Sequence, residues 1–162
     1  MKSIILYASK YGSTKTCAEA LAKKLHGDVE LIQIANDTIP NLNSYDHIIL
    51  GSPIKMGTID PKIRAFCKEH EEALFQHNVA MFICSAIESQ IDVALKASIP
   101  QKLYDHIHPI QYVGGIMDAK HAKFFDKMII NLAAFSMKKE GKALPQIEYG
   151  NIEALANSIN AQ

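Results

Sequence analysis

Short apolar runs recur along this chain, separated by amphipathic stretches, and most of them do not alternate. Residues 3–8, 46–50 and 79–84 are such runs, 29–34 (VELIQI) alternates, and 107–113 reads as a fifth strand. A strand that is apolar on both faces must be covered on both faces. It therefore belongs to a parallel sheet with helices packed above and below. The intervening stretches supply those helices. Over 13–26, Cys17, Leu21 and Leu25 fall one turn apart, with Gly27 where a C-terminal cap belongs. Asp60-Pro61 starts the next, because aspartate accepts backbone N–H bonds at a cap and proline suits the first helical position. Ile63, Phe66, Cys67 and Leu74 mark its inward face. Further helices are predicted from Ser89 with a break at Pro100, over 121–138 and over 151–160. Gly51-Ser52-Pro53 is expected to end the third strand and Gly114-Gly115 the fifth. The prediction is a doubly wound three-layer α/β/α sandwich on five parallel strands, as one domain over residues 1–162.

Charge and cysteine content narrow the function. Lys+Arg and Asp+Glu both number 17, so the formal net charge is zero. Nucleic-acid binding draws on a surplus of Lys and Arg, so no nucleic acid is expected as a partner. An apolar content of 48% excludes a disordered chain. Arg64 is the sole arginine, which leaves little for guanidinium forks on phosphate or carboxylate. Cys17, Cys67 and Cys84 form no CxxC pair. That argues against a disulfide framework or a zinc site, and for a reducing, cytoplasmic location. His106 and His108 alternate as on a strand, but no third ligand joins them and no metal is expected. No run of about 20 apolar residues exists, so no transmembrane helix is expected.

In a doubly wound sheet, ligands bind beyond the carboxyl ends of the strands. That directs attention to 9–14, 51–57, 85–88 and 114–118. The first loop is the richest. It reads Ser9-Lys10-Tyr11-Gly12-Ser13-Thr14-Lys15-Thr16, with hydroxyls at Ser9, Ser13, Thr14 and Thr16 and a glycine able to turn tightly. A helix start adds N–H donors and the positive end of the dipole, so the loop reads as a phosphate site. A plain helix cap is the competing reading. Lys15-Thr16 matches the end of a P-loop, but Ser9 and Thr14 replace its glycines, so NTP hydrolysis is not expected. GxGxxG, a phosphatase-type Cys and Arg loop, and a receiver's acidic cluster are all absent.

What remains is S/T-x-x-G-x-T between the first strand and the first helix, which resembles the FMN phosphate loop of flavodoxins. Two more stretches extend the likeness: YDHIILGSPIKMGTIDPKIRAFCKEH, and YVGGIMDAKHAKFFDKMIINLAAF. With them the chain resembles the flavodoxin-like family that includes the bacterial menaquinone-dependent protoporphyrinogen oxidase. The resemblance implies strand order 2-1-3-4-5 and an FMN cofactor. It implies that Ser9, Lys10, Tyr11, Gly12, Ser13 and Thr14 hold the phosphate. Ser52, Pro53, Ile54, Lys55, Met56 and Gly57 would lie along one side of the flavin. Ser85, Ala86, Ile87 and Glu88 would lie along the other. Electron-carrier flavodoxins are usually acidic and stack Trp or Tyr on the ring. This chain is neutral, lacks Trp and has no aromatic in either flanking loop, so Ile54 or Met56 is expected to cover the ring. Relative to the oxidase, residues 117–121 are poorer in arginine and the loop before the fifth strand is shorter.

The expected function is an FMN-dependent oxidoreductase passing electrons or hydride between a reduced donor and a quinone- or porphyrinogen-like acceptor. A non-enzymatic electron carrier for a protein partner is the alternative, and a flavin-free binding module a third reading. No acid–base residue is assigned. Gly57 is read as allowing a peptide flip beside the flavin, and Lys55 as the nearest cation. Glu88 reads as a helix-start carboxylate. Cys84 ends the fourth strand beside the expected flavin, while Cys17 and Cys67 read as core. Over 121–138, Phe124, Phe125, Met128, Ile129, Leu132 and Phe135 form one apolar stripe, flanked by Ile130, Ala134 and Met137 and followed by Lys138, Lys139 and Lys142. One stripe is expected on the sheet. The excess either widens the buried face, with the lysines simply solvated, or meets a second subunit as a homodimer, an apolar substrate such as a quinone, or a membrane surface.

Overall fold

A computed structural model describes residues 1–34, 38–115, 124–141 and 144–162. In chain order the strands are β1 (Lys2–Tyr7), β2 (Asp28–Gln33), β3 (His47–Lys55), β4 (Thr58–Ile59), β5 (Asn78–Cys84) and β6 (Ile110–Tyr112). The helices are α1 (Ser13–Ala22), α2 (Pro61–Glu69), α3 (Glu71–Leu74), α4 (Ile91–Lys96), α5 (Gln101–His106), α6 (Phe124–Lys139) and α7 (Tyr149–Asn160). The sheet order is β2-β1-β3-β5-β6, with all four neighbouring pairs parallel. Counting the parallel strands alone, this is the expected order 2-1-3-4-5. β4 lies outside that series and pairs antiparallel with the end of β3.

β1 shows why the apolar runs do not alternate. Ile4 and Leu6 enter one core with Ile48, Leu50, Met81 and Ile83, under residues of α2, α4 and α5. Ile5 and Tyr7 enter the other with Ile49, Phe82 and Cys84, under α1 and α7. Successive side chains of a strand point to opposite faces, so two covered faces demand an unbroken apolar run.

Three boundaries and one packing expectation are the main departures from the sequence reading. α1 ends at Ala22, one turn early, because the amides of Lys24 and Leu25 both turn back to the Leu21 carbonyl. The Asn160 side chain of α7 then fixes that exit, donating to the Lys24 carbonyl at 3.0 Å and accepting from the His26 amide at 2.9 Å. β3 runs through Gly51-Ser52-Pro53 to Lys55 rather than stopping there. β1 ends opposite Gly51, so beyond it β3 is an edge, where proline is tolerated. His106 closes α5 instead of entering a strand, with Nε2 2.9 Å from the Leu74 carbonyl oxygen. Among the described residues no group of three His, Cys, Asp or Glu could hold a metal.

The fourth difference concerns α6. It is described from Phe124; positions 121–123 lie outside the described residues. Met128, Leu132 and Phe135 of the expected inward stripe are 57%, 69% and 67% exposed. Both faces of the sheet are already covered by other helices, and these three side chains point outward. Ala134 and Met137, on the other flank, are half-buried. No described helix is long and apolar enough to cross a membrane.

Candidate functional site

The first loop turns on Gly12, which precedes α1 with φ 91°. That left-handed conformation suits glycine and is costly for other residues. A Cβ there would meet nothing within 4 Å, so backbone conformation, not space, calls for glycine. The turn aims the first N–H groups of α1 at the carboxyl end of the sheet, and the first turn of the helix carries no acidic residue to oppose an anion. Ser9 sits across this opening. Its Oγ accepts from the Gly12 amide at 3.1 Å and the Lys15 amide at 3.4 Å. Two loop amides are therefore engaged by the protein itself. A hydroxyl that accepts twice retains its own O–H, and an anion above it would meet that donor. Thr16 turns away, its hydroxyl donating to the Gly12 carbonyl at 3.0 Å.

The second wall is a hairpin that the sequence reading took for a loop. Ile54 pairs with Ile59 and Lys55 with Thr58 across a two-residue turn. Met56 (φ 51°) and Gly57 (φ 77°) form that turn. Ser52 fixes its base. Its buried Oγ accepts from the Asp60 amide at 2.9 Å, so it supports the hairpin rather than facing a ligand. Asp60 caps α2 as expected, accepting from the Lys62 amide at 3.0 Å. Tyr11 bridges the first loop and the hairpin: Lys10 Nζ lies 4.9 Å and Lys55 Nζ 5.5 Å from its ring centroid. The first loop thus supplies the aromatic that the flanking loops lack.

The third wall follows β5. The Ser85 amide donates to the Gly114 carbonyl and the Ile87 amide to Ser85 Oγ, at 3.0 and 3.1 Å. Ile87 and Glu88 then lead into a 3-10 turn over Glu88–Gln90.

These walls enclose a cavity of about 220 Å³. Ser9, Lys10, Tyr11, Ser13 and Thr14 line it from the first loop, Pro53, Ile54 and Lys55 from the hairpin, and Ser85 and Ala86 from the third wall. Three residues absent from the expected set join them: Cys84, Gly115 and Pro145. Gly115 belongs to a segment that sheet topology had flagged, whereas no sequence signal marked Pro145. Six expected residues lie off the lining. Gly12 and Ser52 act behind it, Met56 and Gly57 form the hairpin tip with Met56 fully exposed, and Ile87 and Glu88 lie past the rim. Glu88 instead faces a larger groove of about 780 Å³ beside β6, with Asp92 and Asp105. Three carboxylates make that groove hostile to a phosphate. Among the described residues, the smaller cavity is lined by hydroxyls and two lysines and by no carboxylate or histidine. It falls below the ~300–1,000 Å³ of pockets that bury a drug-sized ligand, so part of such a ligand would remain at the mouth.

Cys84 forms the cavity floor and reaches Cys17 of α1, with the two sulfurs 3.7 Å apart. All three cysteines are free thiols. The Cys17 thiol is pushed up by sharing a hydrogen bond with Cys84 and by burial. The Cys84 thiol is drawn down by hydrogen bonds from Cys17, Thr14 and Ser13, against the upward push of its burial.

A profile of the flavodoxin domain matches residues 4–143. The chain belongs to the flavodoxin-domain family. Solved structures share its fold at low identity. A WrbA-like flavodoxin from Agrobacterium tumefaciens is 17% identical at TM-score 0.55, covering 99% of this chain and 98% of its own. Megasphaera elsdenii flavodoxin, in its two-electron reduced form, is 20% identical at TM-score 0.54, over 68% of this chain and 82% of its own. A Lactobacillus acidophilus flavoprotein, solved in complex with FMN, is 21% identical at TM-score 0.51, over 68% and 90%. No curated protein sequence matches this flavodoxin-domain chain.

Proposed function

We propose that this flavodoxin-domain protein holds FMN in the three-walled cavity and passes electrons between a reduced donor and an acceptor. One observation carries the reading: hydroxyl donors and the N-terminus of α1 converge on a cavity at the carboxyl ends of β1, β3 and β5 whose described lining carries no carboxylate. The L. acidophilus neighbour, which binds FMN, supports the choice of ligand. The residues fit that group. Ser9 offers its O–H, while Ser13 and Thr14 offer hydroxyls that now face the Cys84 sulfur and would be recruited by a phosphate. Lys10 and Lys55 add positive charge to the lining, and the Asp60 carboxylate lies 3.9 Å from Lys55 Nζ behind the hairpin. Bound FMN supplies reversible one- and two-electron chemistry.

Among the described residues the lining includes no histidine or carboxylate, so no acid or base is assigned, and the carrier reading stays as the second choice. For the acceptor, neutral charge and the exposed stripe of Met128, Leu132 and Phe135 favour a quinone- or porphyrinogen-like molecule over docking by an acidic face. We place contact with an apolar partner, a second copy or a quinone-bearing membrane surface, on that stripe.

FMN titration of the purified protein, followed by visible absorbance and quenching of flavin fluorescence, tests the cofactor. Thr14→Val removes one donor to a charged oxygen, so affinity is expected to fall about tenfold or more. Wild-type protein that leaves the FMN spectrum unchanged would overturn the reading. Turnover of a quinone or porphyrinogen by the loaded protein then separates the enzyme from the carrier.

A further inference from the structure

We propose that Cys17 and Cys84 are a redox modification site, a thiol pair that peroxide closes to a disulfide through the cavity while the cavity is empty. The thiol chemistry stands on the geometry alone; its gating by ligand rests on the FMN reading.

The pair differs from an ordinary buried thiol in three respects. First, the sulfurs already touch at 3.7 Å. A disulfide needs about 2.05 Å, so closure asks for an approach of roughly 1.7 Å. Second, their access is unequal. Cys84 is 5% exposed and lines the cavity, whereas Cys17 is 1% exposed and sits behind it. Third, their polar neighbours differ. The Ser13 and Thr14 hydroxyls hydrogen-bond with Cys84 and favour its thiolate, the form that reacts, while the two sulfurs share the hydrogen bond between them. Cys67 provides the internal contrast. It lies in the core on the opposite face of the sheet, and burial pushes its thiol up to about 12.

The roles follow from this asymmetry. The Cys84 thiolate attacks the terminal oxygen of a peroxide. An S–O bond forms, the O–O bond breaks, and the leaving oxygen departs as water after taking a proton. The Cys17 sulfur then attacks the sulfenic sulfur. An S–S bond forms, the S–O bond breaks, and a second water leaves. Two thiols lose two electrons and two protons in total, and one hydrogen peroxide becomes two waters. A ligand in the cavity covers the sulfur that attacks first, so occupancy slows the reaction at its first step.

The test treats the full chain with hydrogen peroxide and reads intact mass and peptide maps after alkylation. Wild-type protein should lose two hydrogen atoms and yield one cross-linked peptide pair, Cys17 to Cys84, with Cys67 still alkylated. Cys17→Ser should instead trap Cys84 as a sulfenic acid that a dimedone probe captures. Cys84→Ser should leave Cys17 as a thiol. FMN at ten times its dissociation constant should slow disulfide formation about tenfold, because roughly one cavity in eleven is then empty. Full alkylation of all three thiols after peroxide would overturn the proposal, as would equal oxidation of Cys67. FMN that binds by absorbance yet gives no protection would overturn the gating. A disulfide that forms in a protein with no FMN affinity would sustain the thiol chemistry while sinking the flavoprotein reading.

Discussion

His47 opens β3 almost wholly buried, between Ser3 of β1 and Asn78 of β5. Burial lowers its pKa from the ordinary 6.5, and the neighbouring Asp46 only partly opposes this. The sign of the consequence is fixed. Below about 6.5 the unfolded chain takes up a proton that the folded chain refuses, so stability falls as pH drops through that window toward the folded pKa. Urea unfolding at pH 7.5 and 5.5 should show this loss in the wild type and a smaller loss in His47→Gln. Equal losses would exclude His47 as the cause. Such pairwise facts were not legible in the sequence. The run DHIIL announces a buried strand but does not say that its histidine is covered on both sides. The same limit applies at Gly51, read only as part of a strand-ending signal. Its role is to admit the Phe82 ring, which a Cβ would meet at 2.2 Å. Asp60-Pro61 was legible because its physics is local: one carboxylate, one amide two residues on, one fixed φ.

Among the elements, the β3–β4 hairpin separates what pattern can and cannot show. Pro53 reads as a stop, β4 is two residues long, and Met56 is a poor advertisement for a turn. Yet both turn residues have positive φ, the signature of a type I′ turn, which favours Asn-Gly. Met56 is fully exposed and packs on nothing, so replacing it forfeits no core. Met56→Asn should therefore stabilise the protein by about 0.5–1 kcal/mol, part of the roughly 1–2 kcal/mol that the left-handed conformation costs an ordinary side chain. The urea midpoint reads the gain, and an unchanged or lower midpoint would show that the turn is not strained by methionine. α6 shows the converse error. Its apolar stripe was visible, but periodicity cannot say whether the sheet face it seeks is already taken by α1 and α7.

At the scale of the whole molecule, the order of the sheet and the placing of three loops around one cavity follow from a simple rule. Parallel strands buried on both sides leave only their carboxyl ends for function. That is why ten of the lining residues are legible in the sequence, while Pro145 is not: it arrives from the segment before α7, far along the chain. The cavity draws on β1, β3, β5 and that late segment together, so a ligand seated there binds the folded state and has nothing to hold in the unfolded one. Binding must then raise thermal stability by mass action. At FMN one hundred times its dissociation constant the gain is about 2.7 kcal/mol. For a chain of this size each kcal/mol moves Tm by about 2–4 °C, so a rise of roughly 5–10 °C is expected in a thermal melt. Thr14→Val should need about tenfold more FMN to reach the same shift, whereas riboflavin, which lacks the phosphate, should give far less of it at any matched concentration. Were riboflavin to stabilise as well as FMN, the hydroxyl-lined start of α1 would not be a phosphate grip, and the cavity would be recognising the ring alone.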